Sequence, residues 1–135
     1  MAEEPVPTEA DWVLKAMVAI AASDGRLDTR EVGLIRQVYE KQTGHSLTAP
    51  EIARAADANA KGDVLAQFAA ASAMLDKPAK DEIIRSAYLV LLADNRISGE
   101  ERKTLKDIAM ALKIPEIHFG AILEDLASPR RGRKG

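Results

Sequence analysis

The sequence predicts an all-α fold, a single compact domain of about seven helices with an internal pseudo-two-fold repeat of helical hairpins. Apolar residues recur at helical spacing along most of the chain, and no segment shows the alternation of a credible strand. The stretch from Asp24 to Glu31 also recurs seventy positions later, from Asp94 to Glu101. Each copy follows a densely apolar segment and opens an amphipathic one, so each is predicted to be the tight turn of a hairpin.

Length and composition favour one globular domain. The chain has 135 residues, of which 47% are apolar and 30% charged, and this balance is typical of a folded protein. Aromatic residues make up only 4%, so the core is predicted to consist of Ala, Leu, Ile and Val. We expect a helical domain over 8–127, between an acidic tail, 1–7, and a basic tail, 128–135.

The charge distribution limits the classes of partner. The formal net charge of −2 argues against a specific nucleic-acid binder. Four cations near the end of the chain are expected to form a solvated tail, with weak contact to anionic lipid as the alternative: Arg130, Arg131, Arg133 and Lys134. The absence of cysteine excludes disulfides and Cys-bearing zinc sites. With an acidic start and no apolar run of about 20 residues, the protein is predicted to be cytoplasmic, or peripheral to a membrane.

The first half of the chain shows the start and stop signals of three helices. Thr8 is predicted to begin the first, in which only Lys15 is polar between Trp12 and Ala22, so protein should surround it. Trp12 is expected to pack at its end. Further signals are two glycines at helix ends, two capping boxes and a proline in a first turn: Gly25 and Gly44, Asp28 with Glu31 and Thr48 with Glu51, and Pro50.

The second half repeats this pattern. A fourth helix should carry Val64, Leu65, Phe68 and Leu75 on one face. Asp76 and Pro78 mark the start of an apolar helix that runs to Ala93. Asn95 replaces Gly25 as its stop, Ser98 with Glu101 caps the next helix, and Pro115 begins the last one. Met17 and Met74 stand at helical core spacing and are predicted to be packing residues.

The doubled turn resembles the TerB family of tellurite-resistance proteins and the related helical domain of membrane-linked J-domain co-chaperones. The resemblance rests on Ala21-Ala22-Ser23-Asp24-Gly25-Arg26-Leu27 with Glu31, and on Leu92-Ala93-Asp94-Asn95-Arg96-Ile97 with Glu101. It extends from about Trp12 to Leu126 and implies a seven-helix domain with internal two-fold pseudosymmetry. The J-domain signature His-Pro-Asp is absent, so chaperone stimulation is not implied.

The resemblance also implies a site for a divalent cation. Acids at these turns in the family are thought to form a cation-binding cluster, and the positions that match here are Asp24 and Glu31 in the first copy and Asp94 and Glu101 in the second. Together with the cap, the candidate metal ligands are Asp24, Asp28, Glu31, Asp94 and Glu101. Oxygen ligands favour calcium or magnesium over zinc. Ser98 stands where the first copy has Asp28, so two such sites would not be equivalent.

Helix capping is the competing interpretation of the same residues. Asp28 or Ser98 can cap a helix while Glu31 or Glu101 closes the box, and Arg26 and Arg96 can neutralise the preceding aspartates. A carboxylate near a helix C-terminus, however, opposes the helix dipole and is stabilised by a cation. Both interpretations stay open on the sequence.

No motif indicates an enzyme. His45 and His118 are isolated and expected at the surface, and the chain lacks a nucleophile elbow, a phosphate-binding loop and a dinucleotide turn. The sequence therefore predicts a non-enzymatic helical module that binds a divalent cation in a stress-response assembly resembling tellurite resistance. The alternative is a protein–protein adaptor whose turns are only caps. Both predict a protein partner and leave the oligomeric state open.

Overall fold

Seven α-helices account for most of the chain in a computed structural model that describes residues 8–23, 27–94 and 99–127. They are α1 (Glu9–Ala21), α2 (Thr29–Thr43), α3 (Ala49–Lys61), α4 (Val64–Ala71), α5 (Lys77–Asp94), α6 (Gly99–Ala111) and α7 (Glu116–Ala127). A 3-10 turn, Ser72–Met74, follows α4, and these ranges contain no strand. The all-α prediction is thus confirmed, whereas the tails predicted at 1–7 and 128–135 lie outside the described residues.

The centre of the fold is the packing of α1 against α5, the most extensive contact between any two of these helices. α1 also contacts α2, α3 and α6, and α5 also contacts α2, α6 and α7. The side chains of Val13, Met17 and Ile20 on α1 and of Ile83 and Ile84 on α5 are wholly buried. The prediction that protein surrounds the first helix is therefore confirmed.

Side chains at the helix ends satisfy the backbone groups that each first turn leaves unpaired. The Thr8 hydroxyl accepts a bond from the Asp11 N–H at 3.2 Å, and the Asp11 carboxylate accepts one from the Thr8 N–H at 2.8 Å. Asp76 caps α5 by accepting a bond from the Ala79 N–H at 3.0 Å. Gly44 ends α2 with a left-handed φ of 78°. The predicted ends are confirmed at these positions.

The fourth helix is shorter than predicted. α4 ends at Ala71, and the 3-10 turn that follows carries Met74 to the surface, where 74% of it is exposed. The buried Ser72 hydroxyl donates a hydrogen bond to the Leu112 carbonyl at 2.8 Å, which fixes the turn against the end of α6. The prediction of a packing role is thus confirmed for Met17 and wrong for Met74, because the chain leaves helical geometry after Ala71.

Positions seventy residues apart are buried alike. Six apolar pairs from the two halves are each no more than 2% exposed: Val13 and Ile83, Met17 and Ala87, Ile20 and Val90, Ala21 and Leu91, Ile35 and Leu105, and Ile52 and Ile122. Helix contacts show the same correspondence: the contacts of α1 with α2, α3 and α6 match those of α5 with α6, α7 and α2, respectively. Chain segments of different sequence therefore occupy comparable environments.

Two aromatic rings join α4 to the beginning of α1. The Phe68 ring is wholly buried, and its centroid lies 5.2 Å from that of Trp12 with the planes tilted by 51°. This distance lies within the range of favourable aromatic pairs. Trp12 thus packs at the end of α1, as predicted.

We expect Phe68→Ala to lower the free energy of unfolding by about 3–5 kcal/mol, because it removes a buried ring and leaves a cavity beside Trp12. Phe68→Leu should cost less because it fills part of that space. Met74→Ala is the control from the same region, and its exposed side chain predicts a change within about 0.5 kcal/mol. Urea unfolding checks all three, and equal losses for Phe68→Ala and Met74→Ala would contradict the assigned core.

Candidate functional site

Residues beside the first predicted turn line a groove with a helix of the other hairpin. We call the link between α1 and α2 corner 1 and the link between α5 and α6 corner 2. Ser23 and Leu27 of corner 1 line a groove of about 460 Å³ together with Thr104 of α6, which we call the α1–α6 groove. Thr104 stands three residues after Glu101, or about 4.5 Å along the helix. The described residues of corner 1 therefore border α6 about one helical turn from Glu101.

A second groove repeats this arrangement on the other hairpin. Leu92 and Ala93, at the end of α5, line a groove of about 610 Å³ with Gln37 and Val38 of α2. We call it the α2–α5 groove. Its lining matches that of the α1–α6 groove at four positions seventy residues apart: Ala19 and Leu89, Ala22 and Leu92, Ser23 and Ala93, and Gln37 and Asp107. The end of α5 therefore borders α2, as the described residues of corner 1 border α6.

Glu31 and Glu101 are the buried charged residues of the part of the chain that the structure describes. Glu31 is 8% exposed and Glu101 is 3% exposed, and each is the third residue of its helix. Burying a carboxylate costs free energy unless another group compensates it. The positive end of the helix dipole provides part of that compensation, and neither glutamate is without an interaction. A buried glutamate therefore occurs at the same helix position in both halves, although the sequence pattern alone favours an exposed side chain there.

Asp28 acts as the N-cap of α2. Its Oδ1 atom accepts a hydrogen bond from the Glu31 N–H at 2.8 Å, and the Glu31 Oε1 atom accepts one from the Asp28 N–H at 3.1 Å. These two bonds form the capping box that the sequence predicts. One oxygen of each carboxylate therefore satisfies a backbone N–H, whatever else the corner binds.

Glu51 provides a reference for a glutamate whose role is capping. The third residue of α3, it accepts hydrogen bonds from the Thr48 N–H at 2.8 Å and from the Thr48 hydroxyl at 3.0 Å. These bonds hold the pKa of Glu51 below its usual range, so the ionised form is favoured. Unlike Glu31 and Glu101, Glu51 is exposed. Burial therefore separates the corner glutamates from an ordinary capping glutamate.

The five candidate ligands are described to different extents. Asp28, Glu31 and Glu101 have the positions given above, whereas Asp24 and the side chain of Asp94 lie outside the described residues. Within 8–23, 27–94 and 99–127, His, Asp and Glu side chains form no group of three or more that could hold a metal ion. That finding covers three of the five candidates.

Three polar contacts escaped the sequence interpretation. The His118 Nε2 atom lies 2.8 Å from the Asp81 Oδ1 atom and joins α7 to α5, so this half-buried histidine has a partner that the sequence did not predict. His45 is exposed in the loop after α2, as predicted. The Glu82 carboxylate accepts hydrogen bonds from the Gln42 amide at 2.8 Å and the Ser86 hydroxyl at 3.1 Å. No local pattern marks these pairs, since two of the three contacts join residues about forty positions apart.

No family model, curated protein or solved structure matches this chain. The likeness to TerB proteins therefore rests on the doubled turn and the helical frame. None of the described helices is both long enough and apolar enough to cross a lipid bilayer.

We expect Asp28→Ala to lower the free energy of unfolding by about 0.5–2 kcal/mol, because it removes the acceptor for the Glu31 N–H. Asp28→Asn should retain most of the stability, since asparagine caps helices about as well as aspartate. Thermal or urea unfolding measures both effects. If Asp28→Asn costs as much as Asp28→Ala, the charge of Asp28 is needed and capping does not account for it.

Proposed function

We propose that the protein is a non-enzymatic, TerB-like helical module that binds a divalent cation at its paired corners. The cation is calcium or magnesium rather than zinc, and the module acts in a cytoplasmic stress-response assembly of the tellurite-resistance kind. The observation that carries the proposal is the burial of Glu31 and Glu101, which stand seventy positions apart, each as the third residue of its helix.

Charge balance at the corners supports a cation. Asp94 is the last residue of α5, and Asp24 follows the last residue of α1 by three positions. Negative charge at a helix C-terminus opposes the helix dipole, and a bound cation offsets that cost. All five candidate ligands bind through carboxylate oxygens, which hard cations such as Ca²⁺ and Mg²⁺ prefer. The buried glutamates would supply oxygens that solvent does not fully screen.

The correspondence between the two halves supports a duplicated site. Matched burial, matched helix contacts and the two equivalent grooves are what a repeated hairpin predicts. The halves differ at one proposed ligand, because Ser98 stands where the first half has Asp28. We therefore propose that any two cations bind with different affinities.

Calorimetric titration with Ca²⁺, Mg²⁺ and Zn²⁺ tests the proposal on the wild-type protein and a variant with Asp24→Asn, Glu31→Gln, Asp94→Asn and Glu101→Gln. We expect the wild type to bind Ca²⁺ or Mg²⁺ and the variant to lose that binding. At a free cation concentration one hundred times the Kd, binding adds about 2.7 kcal/mol to the free energy of unfolding. The melting temperature of the wild type should therefore rise by several degrees.

A matched control changes four exposed carboxylates away from the corners, at Glu51, Asp57, Glu116 and Asp125, to the corresponding amides. It alters the net charge by the same amount, so it should keep the binding heat and the rise in melting temperature. Equal heats for the wild type and both variants, or equal losses in both variants, would count against a cation at the corners.

A protein–protein adaptor is the second candidate. The complete capping box of Asp28 and Glu31 favours it, because the same box occurs at α1 and α3, away from both corners. Under this proposal the corners only end and begin helices, and the binding surface is a groove between helices. The basic residues near the end of the chain would add weak contact with an anionic membrane.

A further inference from the structure

A third groove lies between α6 and α7, at the end of α6 that is far from the corners. It has a volume of about 340 Å³, and we call it the α6–α7 groove. Ala109, Ile114 and Phe119 form an apolar floor, and Met110 forms a wall. Met110 stands nine residues after Glu101, which places it about 13.5 Å along the helix axis from the corner glutamate. The groove is thus spatially separate from the proposed cation site.

Large apolar side chains are exposed beside this groove. Met110 is 63% exposed, and Ile117, which follows the groove residue Glu116, is 88% exposed. Both stand in helices with apolar inner faces, so folding of the single chain leaves them in water. Covering them with a partner would remove apolar surface from solvent, which is favourable.

The outer face of α6 is basic around this apolar wall. Arg102, Lys106 and Met110 are exposed and follow one another at intervals of four, which places them on one side of the helix, and Lys113 is exposed in the turn just after it. Lys106 and Lys113 line the α6–α7 groove. The groove contains one carboxylate, that of Glu116, at 3.7 Å from the Lys106 Nζ atom. Their side chains are 82% and 53% exposed respectively, so this pair holds Lys106 only weakly.

Shape selects the kind of partner. A groove of about 340 Å³ can take inserted side chains, whereas a flat lipid surface leaves its floor uncovered. A nucleic-acid backbone would use the lysines but leave the apolar floor and Met110 without a counterpart. A peptide that carries both apolar and acidic side chains complements both features.

We propose that the α6–α7 groove is the docking site for an acidic, amphipathic helical segment of a protein partner. An aliphatic side chain of that segment enters the groove against Phe119 and Met110, as in other helix-in-groove complexes. Two of its carboxylates face Lys106 and Lys113. Lys106 lies on α6 and Lys113 in the turn after it, and both line the groove, so the acids of the partner must lie on one side, as residues seven positions apart on a helix do. This inference deepens the adaptor proposal and does not depend on a cation at the corners.

Fluorescence anisotropy with a labelled 16-residue peptide tests the docking site on the full chain. The probe is a helix-forming peptide with leucines at i and i+4 and glutamates seven positions apart on the same side. We expect saturable binding that weakens with added salt. The double variant Lys106→Glu with Lys113→Glu should weaken peptide binding about tenfold, because it removes two exposed charge pairs that each contribute at most about 1 kcal/mol. Met110→Ser with Ile117→Ser should also weaken it.

The matched control reverses two exposed lysines outside the groove, with Lys41→Glu and Lys77→Glu. It changes the net charge equally and should leave the affinity almost unchanged. Glu116→Gln removes the groove's carboxylate and should strengthen binding, a result that a damaged fold cannot imitate. Two control peptides, with the glutamates changed to glutamine or the leucines to serine, should bind more weakly than the probe.

Three results would overturn the docking site: no saturable binding at millimolar peptide, equal weakening in both lysine variants, or binding of anionic vesicles in place of the peptide. The corner variant Glu31→Gln with Glu101→Gln separates the two proposals. It should lose cation binding and bind the peptide like the wild type. If the wild type binds the peptide but no cation, the cation proposal alone fails, and if it binds the cation but no peptide, the docking site alone fails.

Discussion

The packing of α1 against α5 is the constraint on which the rest of the structure depends. Both helices are apolar on most sides, so neither can lie at the surface, and the remaining helices must cover them. Each large apolar side chain buried in this way contributes about 1.5–3 kcal/mol relative to exposure. The contact joins the two hairpins, since α1 belongs to the first and α5 to the second.

One helix carries two different chemical environments. The first turn of α6 holds the buried carboxylate of Glu101, its last turns present Lys106 and Met110 to solvent, and Lys113 is exposed just after the helix. The helix dipole suits this order, since it favours negative charge at the start of a helix and positive charge near its end. A cation at the corners and a docked acidic segment would therefore bind to opposite ends of the same rigid element.

Local patterns predicted the features that depend on a few neighbouring residues. The helix start at Thr8, the capping boxes at Asp28 and Thr48, the stop at Gly44 and the apolar character of α1 are set by short-range hydrogen bonding and helical periodicity. Features that depend on distant segments were missed or wrong. Met74 is exposed because the chain turns after Ala71, and His118 meets Asp81 only because α7 packs on α5.

The candidate site likewise combines features that have a local sequence signal with features that have none. The sequence identified Glu31 and Glu101 as capping residues and possible ligands, but their burial has no local signal. The α6–α7 groove was likewise not predictable, because its floor joins residues of two helices that are separated by a turn. The repeat of seventy residues was visible in the sequence, whereas the matching grooves beside the two corners required coordinates.

Paramagnetic broadening of backbone amide signals by Mn²⁺ is the most direct test of the central claim that the two corners form one cation-binding end. Mn²⁺ prefers the same oxygen ligands as Mg²⁺ and broadens only nearby signals. At substoichiometric Mn²⁺ the account predicts selective loss of the amide signals at 23–31 and 94–101 together, with those of α3 and the α6–α7 groove unaffected. Two results would contradict a shared cation site: broadening at one corner alone, or broadening near exposed acids such as Asp57 and Glu116 at a lower Mn²⁺ concentration than at the corners.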